Sequence, residues 1–120
     1  MIKIRTFKDL LAWQSAHKLV LLVYKATKDF PDYELFGLVM QMRRCAVSVP
    51  SNLAEGFKRR GRDKFQFYSY AEASLEELKY QILLSYDLKY LDEDSYSKLI
   101  ELAENTGKLL NGWINSVKKK

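Results

Sequence analysis

Four long segments of the sequence carry apolar residues at alternating gaps of three and four, and this periodicity constrains the fold more than any other feature. Such spacing places the apolar side chains on one face of an α-helix. The clearest stripe is Tyr96, Ile100, Ala103, Gly107, Leu110, Ile114 and Val117. Only two prolines and five glycines interrupt the 120 residues, which favours long helices over many short strands. The sequence therefore predicts an all-α, antiparallel up-and-down four-helix bundle formed by one domain over residues 1–120.

Local signals place the ends of three of these helices. The first begins near Thr6, which forms a capping box with Asp9, and runs to about Lys28. The third covers about Asp63–Lys89, and the fourth follows an N-cap at Asp92 and reaches roughly Val117. The loops between the helices are short, so neighbouring helices are expected to be antiparallel.

The second predicted helix contains a proline. The helix starts around residues 33–35, and Pro50 lies within its apolar stripe. Proline has no N–H, and its ring clashes with the carbonyl four residues earlier in a helix. A helix kinked at Pro50 is the favoured interpretation, because Leu53 extends the apolar face beyond it. The alternative is a new helix in which Asn52 and Glu55 form a capping pair.

The formal net charge of +5 is concentrated in one part of the chain. Seven basic and two acidic residues lie between Arg43 and Lys64, whereas the rest of the chain holds 13 of each. The densest group, here called the basic loop, is Lys58, Arg59, Arg60, Arg62 and Lys64; the run Lys118-Lys119-Lys120 is a second, smaller concentration. The basic loop predicts a nucleic-acid-binding surface that contacts phosphates, with neighbouring phenylalanines available for stacking. The alternative is a solvated loop whose phenylalanines belong to the core.

Arg43 and Arg44 differ from the basic loop because they lie within an apolar helix. The favoured interpretation pairs at least one of them with a carboxylate across the bundle or a subunit interface, since a buried arginine needs such a partner. The candidate partners are Glu55, Glu76 and Glu77. The alternative is that both arginines extend the anion-binding surface.

Few residues of the sequence suggest catalysis or metal binding. Cys45 and His17 are the only cysteine and histidine, too few for a disulfide or a structural zinc site, so no metal and no cofactor are expected. Glu72 and Glu76 share a helical face without a histidine, and no active site is predicted there. The chain has no run of about 18 apolar residues and no signal-peptide pattern at its start, so we expect a cytoplasmic protein that does not enter a membrane.

Several stretches of the sequence resemble one protein family. They are Phe7-Lys8-Asp9-Leu10 with Trp13, Tyr24 and Phe30-Pro31, then Glu34-Leu35-Phe36-Gly37-Leu38, the block Gln41-Met42-Arg43-Arg44-Cys45-Ala46-Val47-Ser48-Val49-Pro50-Ser51-Asn52-Leu53-Ala54-Glu55-Gly56, Ser74-Leu75-Glu76-Glu77-Leu78 and Tyr90-Leu91. Through them the chain resembles the small bacterial four-helix bundle proteins encoded in intervening sequences of 23S rRNA genes. Two residues depart from the pattern: Cys45 stands in place of alanine, and Lys89 in place of the glycine of a Leu-Gly-Tyr-Leu turn.

The resemblance implies a four-helix bundle that assembles as a ring-like homo-oligomer, with a pentamer favoured, and that has no known catalytic activity. A related branch of the fold resembles the accessory proteins of diversity-generating retroelements, which are basic oligomers that bind nucleic acid and a reverse transcriptase.

Charge and resemblance together predict a non-enzymatic oligomeric protein that binds RNA, or nucleic acid generally, through a basic surface. The alternative is a protein-binding scaffold, or accessory subunit, for a partner enzyme such as a reverse transcriptase.

Overall fold

A computed structural model describes residues 3–119, most of which lie in four α-helices. They are α1 (Leu11–Thr27), α2 (Met40–Lys58), α3 (Arg62–Asp87) and α4 (Glu93–Lys118). The helices pack side by side, α2 against α3 and α1 against α4, in a bundle measuring 46 × 26 × 19 Å. No strand is present among residues 3–119. The predicted all-α four-helix bundle is confirmed.

The first helix begins later than its capping signal predicts. Thr6 and Asp9 do form the expected capping box, but they cap one turn of 3₁₀ helix, Phe7–Asp9. Leu10 then adopts an extended conformation, with φ −75° and ψ 126°, and α1 starts at the next residue. Only 2% of Leu10 is exposed, so the break in the helix turns this side chain into the core.

The second helix also begins later than predicted, because two short turns of different geometry precede it. A 3₁₀ turn at Asp32–Glu34 leads into a π-helical turn at Leu35–Val39. The Glu34 carboxylate accepts a hydrogen bond of 3.3 Å from the backbone N–H of Leu38. Gly37 leaves helical geometry, and a Cβ there would lie 2.9 Å from Glu34 Oε1. The glycine therefore allows the carboxylate to fold over the backbone.

The α2 helix passes through Pro50 without a break, so the predicted continuation is confirmed and the alternative restart at Asn52 is wrong. Asn52 Nδ2 instead donates to the carbonyl of Ser48 at 2.8 Å and to its hydroxyl at 2.9 Å. The Ser48 hydroxyl is also 2.8 Å from that of Ser74, which lies on α3. These polar groups tie the proline-containing part of α2 to its neighbour.

The stripe predicted for α3 faces the core. Its members Tyr68, Ala71, Leu75, Leu78, Ile82 and Ser85 are all buried. From α4, the predicted residues Ala103, Leu110 and Ile114 are also buried, and a hydrogen bond of 2.7 Å between Ser15 and Thr106 joins α1 to α4. The predicted N-cap is confirmed, because Asp92 accepts a hydrogen bond of 2.7 Å from the N–H of Ser95.

The end of α3 has the geometry that a glycine usually provides. Lys89 has a φ of 67°, in the left-handed region. The N–H of Tyr90 donates to the carbonyl of Ser85, and the N–H of Lys89 to that of Tyr86, both at 2.9 Å. This pair of bonds is a Schellman motif, in which a non-glycine residue is strained.

Candidate nucleic-acid interface

The antiparallel fold brings three separate basic segments to the same end of the bundle. The basic loop joins α2 to α3 there, and the start of α1 and the end of α4 lie at that end too. Lys118 Nζ accordingly lies 5.9 Å from the centre of the Phe65 ring, near the start of α3. We call this region the basic end and define it by Lys3, Arg5, Lys8, Lys58, Arg59, Arg60, Arg62, Lys64, Lys118 and Lys119. Lys120 lies outside the described residues.

Acidic side chains offset little of this charge. Among the described residues of the basic end, the acids are Asp9, Glu55 and Asp63. Hydrogen bonds from the backbone N–H groups of Thr6 and Arg5 hold the pKa of Asp9 below its usual value. Glu55 forms an ion pair of 3.5 Å with one member of the basic loop. The basic end therefore keeps a net positive charge.

The opposite end of the bundle lacks this excess of positive charge. Its acidic residues are Asp29, Asp32, Glu34, Asp87, Asp92, Glu93 and Asp94, and its basic residues are Lys25, Lys28, Arg43, Arg44, Lys89 and Lys98. The net positive charge of the molecule is therefore concentrated at the basic end.

Four side chains of the basic loop are exposed: Lys58, Arg59, Arg60 and Arg62. The loop turns at Gly61, whose φ of 59° lies in the left-handed region that favours glycine. Within residues 3–119, no acidic side chain pairs with Lys58, Arg60 or Arg62. Arg59 is partly engaged, since it is the partner of Glu55 and its guanidinium lies 5.1 Å from the centre of the Phe67 ring.

Lys64, the fifth predicted member, has a different role from the others. Its Nζ donates to the carbonyls of Gly56 and Phe57, at 2.9 and 3.0 Å, and so caps the end of α2. It also lies 5.6 Å from the centre of the Tyr68 ring. Partial burial lowers the pKa of Lys64. This lysine fixes the shape of the loop that presents the arginines.

Arg43 attaches α2 to the end of α1. Its Nε donates to Thr27 Oγ1 at 3.0 Å, and its guanidinium lies 4.6 Å from the centre of the Tyr24 ring. Arg44, the next residue, is exposed. Thr27 and Tyr24 were not predicted as partners of Arg43. Their separation from Arg43 along the chain does not indicate that the side chains are in contact.

The carboxylates proposed as partners of these arginines are engaged elsewhere in the described chain. Glu55 pairs with Arg59, and Glu76 pairs with Lys79 at 3.1 Å. No carboxylate within residues 3–119 forms a salt bridge with Arg43 or Arg44. Pairing across a subunit interface stays a prediction.

The third carboxylate, Glu77, accepts a hydrogen bond from the thiol of Cys45 between α2 and α3. Burial and this neighbouring carboxylate raise the pKa of Cys45 to about 11. Cys45 is 8% exposed and sits in the core, as expected for a small apolar residue.

An exposed apolar surface lies on the outer side of α1 and α2, away from the basic end. We call it the Phe36 face and define it by Tyr24, Leu35, Phe36, Met40 and Val47, all of which are exposed. Phe36 is 82% exposed, a large value for an apolar ring. A groove of about 580 Å³ runs along this face. Sequence reasoning missed it, because the π-helical turn that presents Phe36 is invisible in a simple helical periodicity.

Other kinds of site are not apparent in the described residues. No helix among residues 3–119 is long and apolar enough to cross a membrane. The same residues contain no group of three or more His, Cys, Asp or Glu side chains placed to hold a metal ion.

Comparison with known proteins places this architecture in one family. A solved structure with a similar fold is a protein of unknown function from the S23 ribosomal protein family of Bacteroides thetaiotaomicron. The TM-score is 0.79 at 18% sequence identity, and the alignment covers 88% of this chain and 96% of the other. No curated protein sequence matches the chain. The family described as 23S rRNA-intervening sequence protein matches residues 8–112. Because that match spans most of its length, the chain belongs to the 23S rRNA-intervening sequence protein family.

Proposed function

We propose that this protein is a non-enzymatic, oligomeric bundle that binds nucleic acid, RNA foremost, through the basic end. The observation that carries the proposal is the meeting of three basic segments at one end of the molecule, where the exposed Lys58, Arg60 and Arg62 form no ion pair with an acid of the described chain. The family's association with rRNA genes is the reason for placing RNA first.

The chemistry of the basic loop suits phosphate oxygens. Guanidinium groups donate paired hydrogen bonds to phosphate, and Arg60 and Arg62 are exposed side chains without an acidic partner in the described chain. Interactions of this kind neutralise the nucleic-acid backbone and release bound cations. Binding is therefore expected to weaken steeply with salt and to depend little on sequence.

Self-association would strengthen binding to nucleic acid. The Phe36 face is the surface we assign to contact between copies, because exposed apolar patches on a soluble protein usually mark interfaces. Arg44 lies beside it and is available to pair with a carboxylate of a neighbouring copy. A ring-like homo-oligomer, a pentamer in our proposal, would present several basic ends and bind by multivalent contact.

The proposal is tested by neutralising charge at chosen places. One variant replaces Arg59, Arg60 and Arg62 with serine. A matched control replaces Lys18 and Lys25 on α1 and Lys28 just after it, all of which are exposed and lie away from the basic loop. Fluorescence anisotropy with a labelled fragment of 23S rRNA at low salt measures the affinity. The first variant is expected to lose most of its affinity, and the control to keep it. Absence of binding by the unaltered protein, or equal loss in both variants, would refute the proposal.

The Phe36 face also supports a second candidate function. Its apolar surface suits a protein partner, and the protein would then act as a scaffold or accessory subunit for an enzyme such as a reverse transcriptase. Pull-down from the native cell after nuclease treatment separates the two. Enrichment of one protein that is lost on Phe36→Ser substitution supports the scaffold.

As the cellular compartment we propose the cytoplasm, where a thiol such as that of Cys45 stays reduced.

A further inference from the structure

A second groove lies at the basic end, on the side of the bundle away from the basic loop. It runs between the start of α1 and the last turns of α4, and its volume is about 520 Å³. Its apolar lining includes Ile4, Leu11, Leu109 and Trp113. Leu11 is 60% exposed, so the groove is apolar yet open to solvent.

Trp113 is held in a fixed orientation in this groove. Its indole Nε1 donates a hydrogen bond of 3.0 Å to the hydroxyl of Tyr68. Tyr68 is fully buried, so the polar edge of the indole points into the bundle, while the ring contributes to the groove lining. Such an arrangement offers an apolar ring surface without an unsatisfied polar group.

The groove is kept open by a small residue in α4. Gly112 lines it, and a Cβ at this position would meet no atom within 4 Å. A glycine inside a helix costs roughly 1 kcal/mol relative to alanine, and neither close packing nor a positive φ requires one at this position. A long side chain at this position would occupy the groove, whereas the single methyl group of alanine would leave most of it open.

Positive charge lies beside the groove. One cation, Lys108, is part of its lining, and two more, Lys3 and Arg5, flank Ile4 in the chain. The one acid in the lining is Asp9, whose carboxylate already accepts the N–H groups of residues 5 and 6. An occupant with an apolar, planar part next to negative charge is thus favoured over a purely apolar one.

We propose that this groove takes an unpaired base of a single-stranded nucleic acid, stacked on Trp113, with the flanking phosphates held by Lys108 and the N-terminal cations. The inference rests on the proposed function and deepens it, because it names the single strand as the preferred form. Bases within a duplex are stacked on each other and cannot enter a groove, whereas those of a single strand offer free faces to aromatic side chains.

The test fills the groove and leaves the side chains around it unaltered. Gly112→Leu places a side chain in the open space, and Gly112→Ala is the matched control that gains the same helix propensity without filling it. Both variants are expected to unfold at or above the temperature of the unaltered protein. The probes are a mixed-sequence single-stranded RNA and the duplex of the same length, at low salt.

Gly112→Leu is expected to weaken single-strand binding about tenfold, the effect of removing one base–aromatic stack, and to leave duplex binding unchanged. Gly112→Ala should change neither. Single-strand affinity that survives Gly112→Leu, or equal weakening for both probes, would overturn the inference while leaving phosphate binding intact. A change in solution mass without a change in affinity would assign the groove to contact between copies and also overturn it. Failure of the unaltered protein to bind either probe would overturn this inference together with the proposed function.

A spectroscopic readout checks the stacking itself. In a Trp13→Phe background Trp113 is the only tryptophan, and its fluorescence is expected to be quenched by the single-stranded probe. The same background with Gly112→Leu should show no quenching. Quenching of equal size in both would contradict stacking in the groove.

Discussion

Gly56 and Tyr68 lie so close together that a Cβ at residue 56 would be 2.6 Å from Tyr68 Cε1. The Tyr68 ring is fully buried, and its hydroxyl accepts a hydrogen bond from Trp113. Lys64 joins the same two helix ends, because its Nζ donates to the carbonyl of Gly56. The end of α2 is thereby held against the start of α3, and this packing positions the basic loop between them.

Gly56→Ala is expected to destabilise the protein by about 1–3 kcal/mol, because the added methyl group overpacks a core position that cannot move away. Urea unfolding followed by circular dichroism measures the difference. The control is Gly107→Ala, where the nearest atom to the new Cβ is 3.5 Å away. That substitution should be neutral or stabilising by up to about 1 kcal/mol. Equal effects at the two glycines would contradict the packing described here.

Lys89→Gly is expected to stabilise the protein by about 1 kcal/mol, because glycine adopts the left-handed conformation of residue 89 without the strain of a side chain. The midpoint of thermal unfolding should rise. Lys89→Ala separates this effect from the removal of charge, since alanine keeps the Cβ and should give no increase. A rise with alanine equal to that with glycine would show that charge, not backbone strain, limits stability at this turn.

Lys64→Met and Arg60→Met each remove one positive charge from the basic loop but should differ in effect on stability. Lys64→Met removes two hydrogen bonds to backbone carbonyls and is expected to cost about 1–2 kcal/mol. Arg60 is exposed and has no acidic partner in the described chain, so its replacement should stay within about 0.5 kcal/mol. Chemical denaturation of the two variants measures this. If Arg60→Met were the more destabilising, the assignment of Lys64 as the cap of α2 would be wrong.

Cys45 should make stability depend on alkaline pH. Its pKa is raised from 9.0 to about 11 in the folded protein. Between these values the unfolded chain loses the thiol proton while the folded protein keeps it, so stability falls as pH rises, by at most about 1.4 kcal/mol per pH unit. The stabilising effect is fully present below pH 9. The free energy of unfolding of the unaltered protein should therefore fall relative to that of Cys45→Ala between about pH 8 and about pH 11. A constant difference between the two would contradict the burial of the thiol.

The sequence predicted the features that depend on local periodicity. The α3 stripe from Tyr68 to Ser85, the cap at Asp92 and the continuation through Pro50 all follow from spacing and from the chemistry of single residues. The starts of α1 and α2 were predicted less accurately. Leu10 leaves the helix where its side chain enters the core, which is a tertiary effect. The break at Gly37 is local, since the carboxylate that folds over the backbone belongs to Glu34, but the apolar periodicity does not indicate it.

The candidate site was predicted in part. The positions of Arg60 and Arg62 agree with an exposed basic loop, although binding itself is a proposal. The cap formed by Lys64 and the hydrogen bond from Trp113 to Tyr68 were not predicted, because each joins residues whose proximity exists only after the helices pack. The N-terminal and C-terminal cations lie at the same end of the bundle as the basic loop because the helices run alternately up and down.

The salt dependence of RNA affinity tests the account most directly. For a single strand, each phosphate that the protein neutralises contributes about −0.7 to the slope of log affinity against log salt concentration. Replacing Arg60 and Arg62 with serine should therefore make the slope shallower by about 0.7 for each phosphate that is no longer bound, and the control lacking Lys25 and Lys28 should keep the original slope. An unchanged slope in the first variant, or an equal change in both, would contradict phosphate binding at the basic end.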